Sequence, residues 1–322
     1  MQNNSELALQ HFERGNGLHD EGHVIQAMDE WKIATRLNPN LPDAHLNLGI
    51  AYLELEALDE AITELDAAYR LDPYNEATIE YLTTALNERG SRTSDAGDTT
   101  RATDDWDSAL RVDPNNADAH YNLALTLEET DKLLDAEEHF RAAIKSDPFD
   151  LEIREDLANL LIRLERPGDA VHELEEALDV GTKLNQTLGR AASSMLPFEA
   201  EQDGNALERN AGLLERASAS YDSIALALAK LRVEEGDFDQ AQKVMEQAQF
   251  DKESAPVWLA IGRAFVDRGR VEDAVMALRR AYISDPQLGE PRELLDQLGE
   301  PYDEPPEPFE EDDGEANKEE RK

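Results

Sequence analysis

The chain of 322 residues contains no cysteine. That absence excludes a disulfide framework, thiolate catalysis and any thiolate metal site. Positive charge is scarce. Thirty-one Lys+Arg stand against 72 Asp+Glu, a formal charge of −41, and lysine supplies 9 of the cations against 22 from arginine. Such a chain repels nucleic acid, because binding requires cations to displace the counterions around phosphate. It disfavours an anionic membrane surface for the same reason. Long apolar runs are also missing. The longest, Ile224–Ala229, falls far short of the roughly 18 residues of a membrane helix. The opening MQNNSELALQ has neither the basic nor the apolar stretch of a signal peptide, so a soluble, cytoplasmic protein is expected. Aromatic residues are sparse at 6%, but a hydrophobic content of 40% is enough for packed structure. The length suits two domains or one elongated array.

Little lysine beside a large carboxylate excess suits a halophilic, high-salt cytoplasm; an acidic protein from an ordinary cell is the alternative. Like charges act over about 10 Å at ~0.1 M salt and over about 3 Å at ~1 M. The thermal midpoint is therefore expected to rise clearly with KCl across that range. An unchanged midpoint would mean that the charges are balanced locally, and the halophile reading would lose its basis.

What the sequence does have is repetition. Prolines closing Ala-rich acidic segments recur at Pro39, Pro73, Pro114, Pro148 and Pro286. Pro39 to Pro73 and Pro114 to Pro148 each span 34 residues, and Pro73 to Pro114 spans 41. The seven extra residues fall in SRTSDAGDTT, residues 91–100, whose small polar composition predicts a loop. Within each unit the apolar and small residues recur in phase: Leu48-Gly49, Tyr52, Ala61, Leu65 and Ala68 in the second, Leu123-Ala124, Leu127, Ala136, Phe140 and Ala143 in the fourth, Ile261-Gly262, Phe265, Ala274, Leu278 and Ala281 in the last. Spacings of three and four give one apolar stripe on each of two helices. The Gly or Ala of each pair lets those helices approach closely. Turns such as Gly22-His23 and Gly236-Asp237 separate them, and proline ends the second.

This pattern resembles the tetratricopeptide repeat (TPR) family. The resemblance implies an all-α fold: a right-handed superhelical solenoid of about seven helix-turn-helix repeats. Residues 5–182 read as an array of five repeats with the insertion at 91–100, the fifth ending at Gly181 instead of proline. Residues 183–220 read as a degenerate repeat or a hinge, and 221–299 as two repeats plus a cap helix near Pro291–Leu298. Residues 300–322 hold eleven acids, three bases and four prolines, and read as a disordered acidic tail.

Motifs for catalysis are absent: there is no GxxxxGK[ST], HExxH, GxSxG or strand-linked GxGxxG. Gly15-Asn16-Gly17 is a lone GxG inside a repeat helix. His19 and His23 are split by the turn at Gly22 and have no third ligand, so no metal site is expected. His45 and His120 share one repeat position and are expected to pack. Asp312-Asp313-Gly314 lacks the alternating ligands of a calcium loop. No catalytic residue and no cofactor is assigned.

In a TPR superhelix the first helices of successive repeats line a concave groove. Counting forward in each unit places Phe12, Asn16, Leu46, Asn47, Ile50, Leu53, Tyr81, Tyr121, Asn122, Leu125 and Asn159 on that face. An asparagine amide both donates and accepts, so it can pair with an extended peptide backbone of any sequence. Asn47 and Asn122 share one repeat position, similar to the asparagine ladder of the TPR superhelix in O-GlcNAc transferases; the alternative is that they satisfy neighbouring helix groups. TPR co-chaperones hold a terminal carboxylate with two asparagines and three basic residues. Asn16 and Asn47 match the asparagines, but Phe12, Ala77 and Tyr81 stand at the basic positions, which argues against that mode. The expectation is a non-enzymatic interaction scaffold, adaptor or assembly chaperone that binds a neutral or basic peptide or helical segment of a partner protein in the concave groove. A regulatory subunit of a separately encoded enzyme and a self-assembling scaffold are the alternatives. Oligomeric state stays open.

Overall fold

The computed structural model describes residues 4–194, 220–247 and 252–300, the side chains of 185–194 excepted. The chain divides into two compact units, Met1–Arg166 and Pro167–Lys322. The first holds α1 (Asn4–Asp20), α2 (Val24–Leu37), α3 (Pro42–Glu54), α4 (Leu58–Leu71), α5 (Glu76–Asp95), α6 (Thr99–Val112), α7 (Ala117–Glu129), α8 (Leu133–Ser146) and α9 (Leu151–Arg163). The second holds α10 (Pro167–Ser194), α11 (220–234), α12 (Phe238–Met245), a 3-10 turn (Lys252–Ser254), α13 (Ala255–Asp267), α14 (Val271–Ser284) and α15 (Gly289–Gln297). Among the described residues there is no strand, and no helix is long and apolar enough to cross a membrane.

Each repeat turns at one left-handed residue: Gly22, Glu56, Gly97, Asp131, Glu165, Gly236 and Gly269, with φ between 56° and 85°. The next amide reaches back to a carbonyl five residues earlier, as His23 N does to Leu18 O at 2.8 Å and Arg270 N to Phe265 O at 2.9 Å. This closes the first helix of each pair. The turn between repeats is built by the Asn or Asp before each proline. Its side-chain oxygen accepts from the amide two residues on: Asn38 from Asn40, Asp72 from Tyr74, Asp113 from Asn115, Asp147 from Phe149, Asp285 from Gln287. Asn75, Asn116 and Asp150 then cap the following helices.

Packing within a pair rests on a small residue facing a large one. A Cβ on Gly15 would lie 2.5 Å from the Trp31 indole nitrogen, and one on Gly49 would lie 2.5 Å from Leu65 Cγ. Gly90 stands against Trp106 and Gly262 against Leu278 in the same way. In the second unit, Trp258, Phe265, Leu278 and Leu295 share one buried cluster, which seats the cap helix α15 on α14.

Two expectations are corrected here. Residues 91–100 do not form a loop. Helix α5 runs 20 residues where α3, α7 and α9 run 13, so most of the insertion is helix and the turn waits until Gly97. Seven residues are almost two α-helical turns, so the extension returns Arg89-Gly90 to the face that Leu82-Thr83 occupies one register earlier. Arg89 then fixes the added turns. It donates to both oxygens of buried Asp105 on α6 (2.6 and 2.9 Å) and to Asp59 on α4 (2.7 Å). The fifth repeat also does not close at Gly181. Helix α10 continues to Ser194, because no left-handed turn and no proline stops it. The rest of the stretch read as degenerate repeat or hinge (195–219) and the acidic tail (301–322) lie outside the described residues.

Candidate functional site

The first helices of the first unit, α1, α3, α5, α7 and α9, carry every residue expected on the groove face. Their surroundings differ. Leu46 is only 9% exposed and lies in the core with Leu65, Leu82 and Trp106, so it serves packing and not an open groove. Phe12 is half-buried against Met28, Trp31 and Leu48. Ile50, Leu53 and Tyr81 flank the cluster around Leu82. Leu125 is half-buried, and Asn159 is exposed.

The asparagines separate into two kinds. Asn16 Oδ1 accepts from the Trp31 indole N–H at 3.0 Å and from Asn47 Nδ2 at 2.9 Å. This relay stitches α1, α2 and α3 together, so this pair does satisfy neighbouring helix groups. It borders a cleft of about 320 Å³ that includes Asp20 and Ile50.

Seventy-five residues on, the same positions hold Trp106, Ser91 and Asn122. Serine in place of asparagine breaks the relay. Among the described residues, the buried Trp106 indole nitrogen has no acceptor, and the Asn122 side chain makes no hydrogen bond. Asn87 donates to Asn116 at 2.8 Å, but its own Oδ1 is buried and unpartnered. Ser91, Asn87 and Asn122, with Thr84, Glu88, Asp118 and Tyr121, line a cleft of about 340 Å³ between α5 and α7. Chemically it offers a free amide, a free hydroxyl and the Asp118 carboxylate, with Glu88 paired to Arg92 at its edge. That suits a main chain or a cation better than an anion.

Tyr121 closes the far wall. Its hydroxyl donates to Asp156 on α9 at 2.8 Å, and its ring lies 6.0 Å from that of Phe140. Burial, and then the bond to Asp156, push the phenol well above its ordinary range; burial also raises Asp156. Sequence reasoning did not find this tie.

The histidines at one repeat position pack as expected, each with a partner 19 residues on. His11 meets Glu30 and His45 meets Glu64, both at 2.6 Å; His120 meets His139 at 3.0 Å. The hydrogen bond to Glu64 raises His45 above its usual 6.5, whereas burial, and then His120, lower His139 below it. The pair His45–Glu64 therefore lends stability that is complete below about pH 6.5 and fades as pH rises through the folded value. His139 works in the opposite sense, so its site loses stability as pH falls below about 6.5. A ring-proton NMR titration is expected to show His45 titrating above His139; the reverse order would contradict these contacts. Among the described residues no three His, Asp or Glu side chains are grouped to hold a metal.

Family comparison agrees with this architecture. Tetratricopeptide repeat models match residues 42–75, 88–150 and 226–288, and a TPR repeat model matches 15–56. Together these matches span more than half of the chain, which belongs to the tetratricopeptide repeat family. A probable UDP-N-acetylglucosamine–peptide N-acetylglucosaminyltransferase, SPINDLY, from Hordeum vulgare is 31% identical over 104 residues, 32% of this chain and only 11% of that protein's length. Among solved structures, MamA protein is 20% identical over 55% of this chain and 93% of its own, with a TM-score of 0.41. YrrB, described as a TPR protein with an unusual peptide-binding site, is 20% identical over 54% of this chain and 86% of its own, with a TM-score of 0.38.

Proposed function

We propose that this chain is a non-enzymatic protein-interaction scaffold or adaptor, and that the first-helix face of residues 4–166 holds an extended, neutral or basic segment of a partner. Membership of the tetratricopeptide repeat family supports a protein-binding role. One observation carries the location: the relay that occupies Asn16 and Asn47 is broken at Ser91, so Asn122 faces the α5–α7 cleft with its amide unspent. Asp118 gives that cleft its preference for a basic side chain, Glu88 being held by Arg92 at 2.6 Å. The segment's main chain pairs with Asn122, Tyr121 supplies the aromatic wall, and Leu125 and Asn159 continue the face toward α9.

Peptides selected from a displayed library on the full chain, then titrated singly, test this. Asn122→Ala is expected to weaken them by roughly threefold to tenfold, the loss of one hydrogen bond of about 0.5–1.5 kcal/mol. Asn47→Ala is expected to act on stability instead, because its partner is Asn16. Equal binding by the Asn122 variant would remove the groove from consideration.

A further inference from the structure

A second cleft lies on the other face of α5 from the α5–α7 cleft. Helices α4 and α6 meet near their N-terminal ends, where Asp59 accepts from Arg89 at 2.7 Å and from Arg101 at 3.0 Å. Farther along, a cleft of about 990 Å³ opens between their C-terminal halves. Its walls are the half-buried Ile62 and Ala67 of α4 and Val112 of α6, above a floor closed by the buried Leu82 and Leu86 of α5. The volume is that of a ligand pocket.

The charge here is reversed. The cleft is lined by Arg70, Arg89 and Arg111 with one acid, Asp66, whereas the α5–α7 cleft is lined by Asp118 and by Glu88, which pairs with Arg92 at 2.6 Å. Arg70 is paired with Asp66 at 2.6 Å, and Arg89 is held by Asp59 and Asp105. Arg111 is different: its guanidinium donates to the Ser108 hydroxyl at 2.6 Å, and no described carboxylate pairs with it. In a chain of charge −41, an unneutralised arginine at the edge of an aliphatic trough is a selective feature.

We infer that this cleft docks a helical segment of a partner protein that carries an apolar stripe flanked by carboxylates. The lining has no side-chain amide like that of Asn122, and its Thr63 and Ser108 hydroxyls already donate to Asp59 O and Asp104 O, so an extended strand would find few partners for its main chain there. A helix arrives with its own hydrogen bonds made and inserts side chains at i, i+3, i+4 and i+7. Its carboxylate pairs with Arg111, and leucine-sized side chains cover the half-buried Ile62, Ala67 and Val112. The inference shares with the groove reading only the premise that the chain binds proteins; site and ligand charge both differ.

The test uses the full chain and two designed peptides of about 14 residues. Both have leucine at i, i+3, i+4 and i+7; one carries glutamate at the remaining positions and the other lysine. The glutamate peptide is expected to bind saturably at about 0.15 M salt despite the like net charges. Arg111→Glu, an exposed substitution, is expected to weaken it at least about tenfold. Ala67→Trp, which fills the trough, is expected to do the same, and Asn122→Ala to leave it unchanged. The lysine peptide is expected to associate through the general negative field, without loss in Arg111→Glu and with release at about 1 M salt. No saturable binding of the glutamate peptide, binding that ignores Arg111→Glu, or binding lost in Asn122→Ala would each overturn the inference. Circular dichroism on each variant confirms the fold, and Arg111→Glu alone decides the matter if Ala67→Trp does not fold.

Discussion

Trp106→Ala is expected to lower the stability of the first unit by about 3–5 kcal/mol, the range for deleting a large buried aromatic. Trp106 is 2% exposed and belongs to a cluster with Leu82, Leu86, Ala109 and Leu123, drawn from three successive helices. Its seat is the missing side chain of Gly90. Gly90→Ala should therefore destabilise by about 1–3 kcal/mol through overpacking against a ring that has nowhere to move. Gly17→Ala gives the opposite sign. Nothing lies within 4 Å of its missing Cβ, so alanine should add about 0.5–1 kcal/mol of helix stability. Trp31→Phe should cost more than Trp106→Phe by about 0.5–1.5 kcal/mol, since only Trp31 gives up a hydrogen bond. Urea unfolding followed by circular dichroism measures all of these variants. A neutral Gly90→Ala would contradict the packing described.

Ser91→Asn is expected to separate stability from binding. It places at position 91 the acceptor that Asn16 provides in the first repeat. The buried Trp106 N–H then gains a partner, and Asn122 is drawn into the relay as Asn47 is. Satisfying one buried donor should stabilise the unit by about 0.5–1.5 kcal/mol. The amide of Asn122 is then no longer free for a ligand, so peptide affinity should fall by roughly threefold to tenfold. A variant that is more stable and binds less well is hard to obtain by damaging a fold. It is the signature of closing a site.

The 34-residue period, the closing prolines and the small–large pairs make the helix pairs legible in the amino-acid sequence. The period is itself a packing constraint, with Gly15 and Trp31, Gly49 and Leu65, and Gly262 and Leu278 each sixteen residues apart. The same spacing links Gly90 to Trp106, and that signal points to a helix through residues 91–95. Composition points the other way, because Ser, Thr and Asp are weak helix formers. What overrides them is tertiary: the Arg89–Asp105 pair and the Gly90–Trp106 contact. The candidate site is legible in part. Counting positions places these residues on the first helices of the repeats but does not distinguish Leu46, which turns into the core, from Ile50 beside it. Nor does it show that Asn16 and Asn47 are joined while Asn122 is not: the Asn16-to-Ser91 change is visible in the sequence, but that Asn16 bonds Trp31 and Asn47 is not. The α4–α6 cleft is invisible to residue patterns, because it lies between helices whose residues are far apart in sequence.

The most direct test of the account is a titration of one library-selected peptide, at fixed salt, against the full chain, Asn122→Ala and Ser91→Asn, with urea stability measured on the same three samples. The account predicts weaker binding in both variants, with Ser91→Asn more stable than the parent and Asn122→Ala close to it. Unchanged affinity in Ser91→Asn, with the gain in stability present, would show that the relay closes without touching a ligand and would contradict the α5–α7 cleft as the binding site.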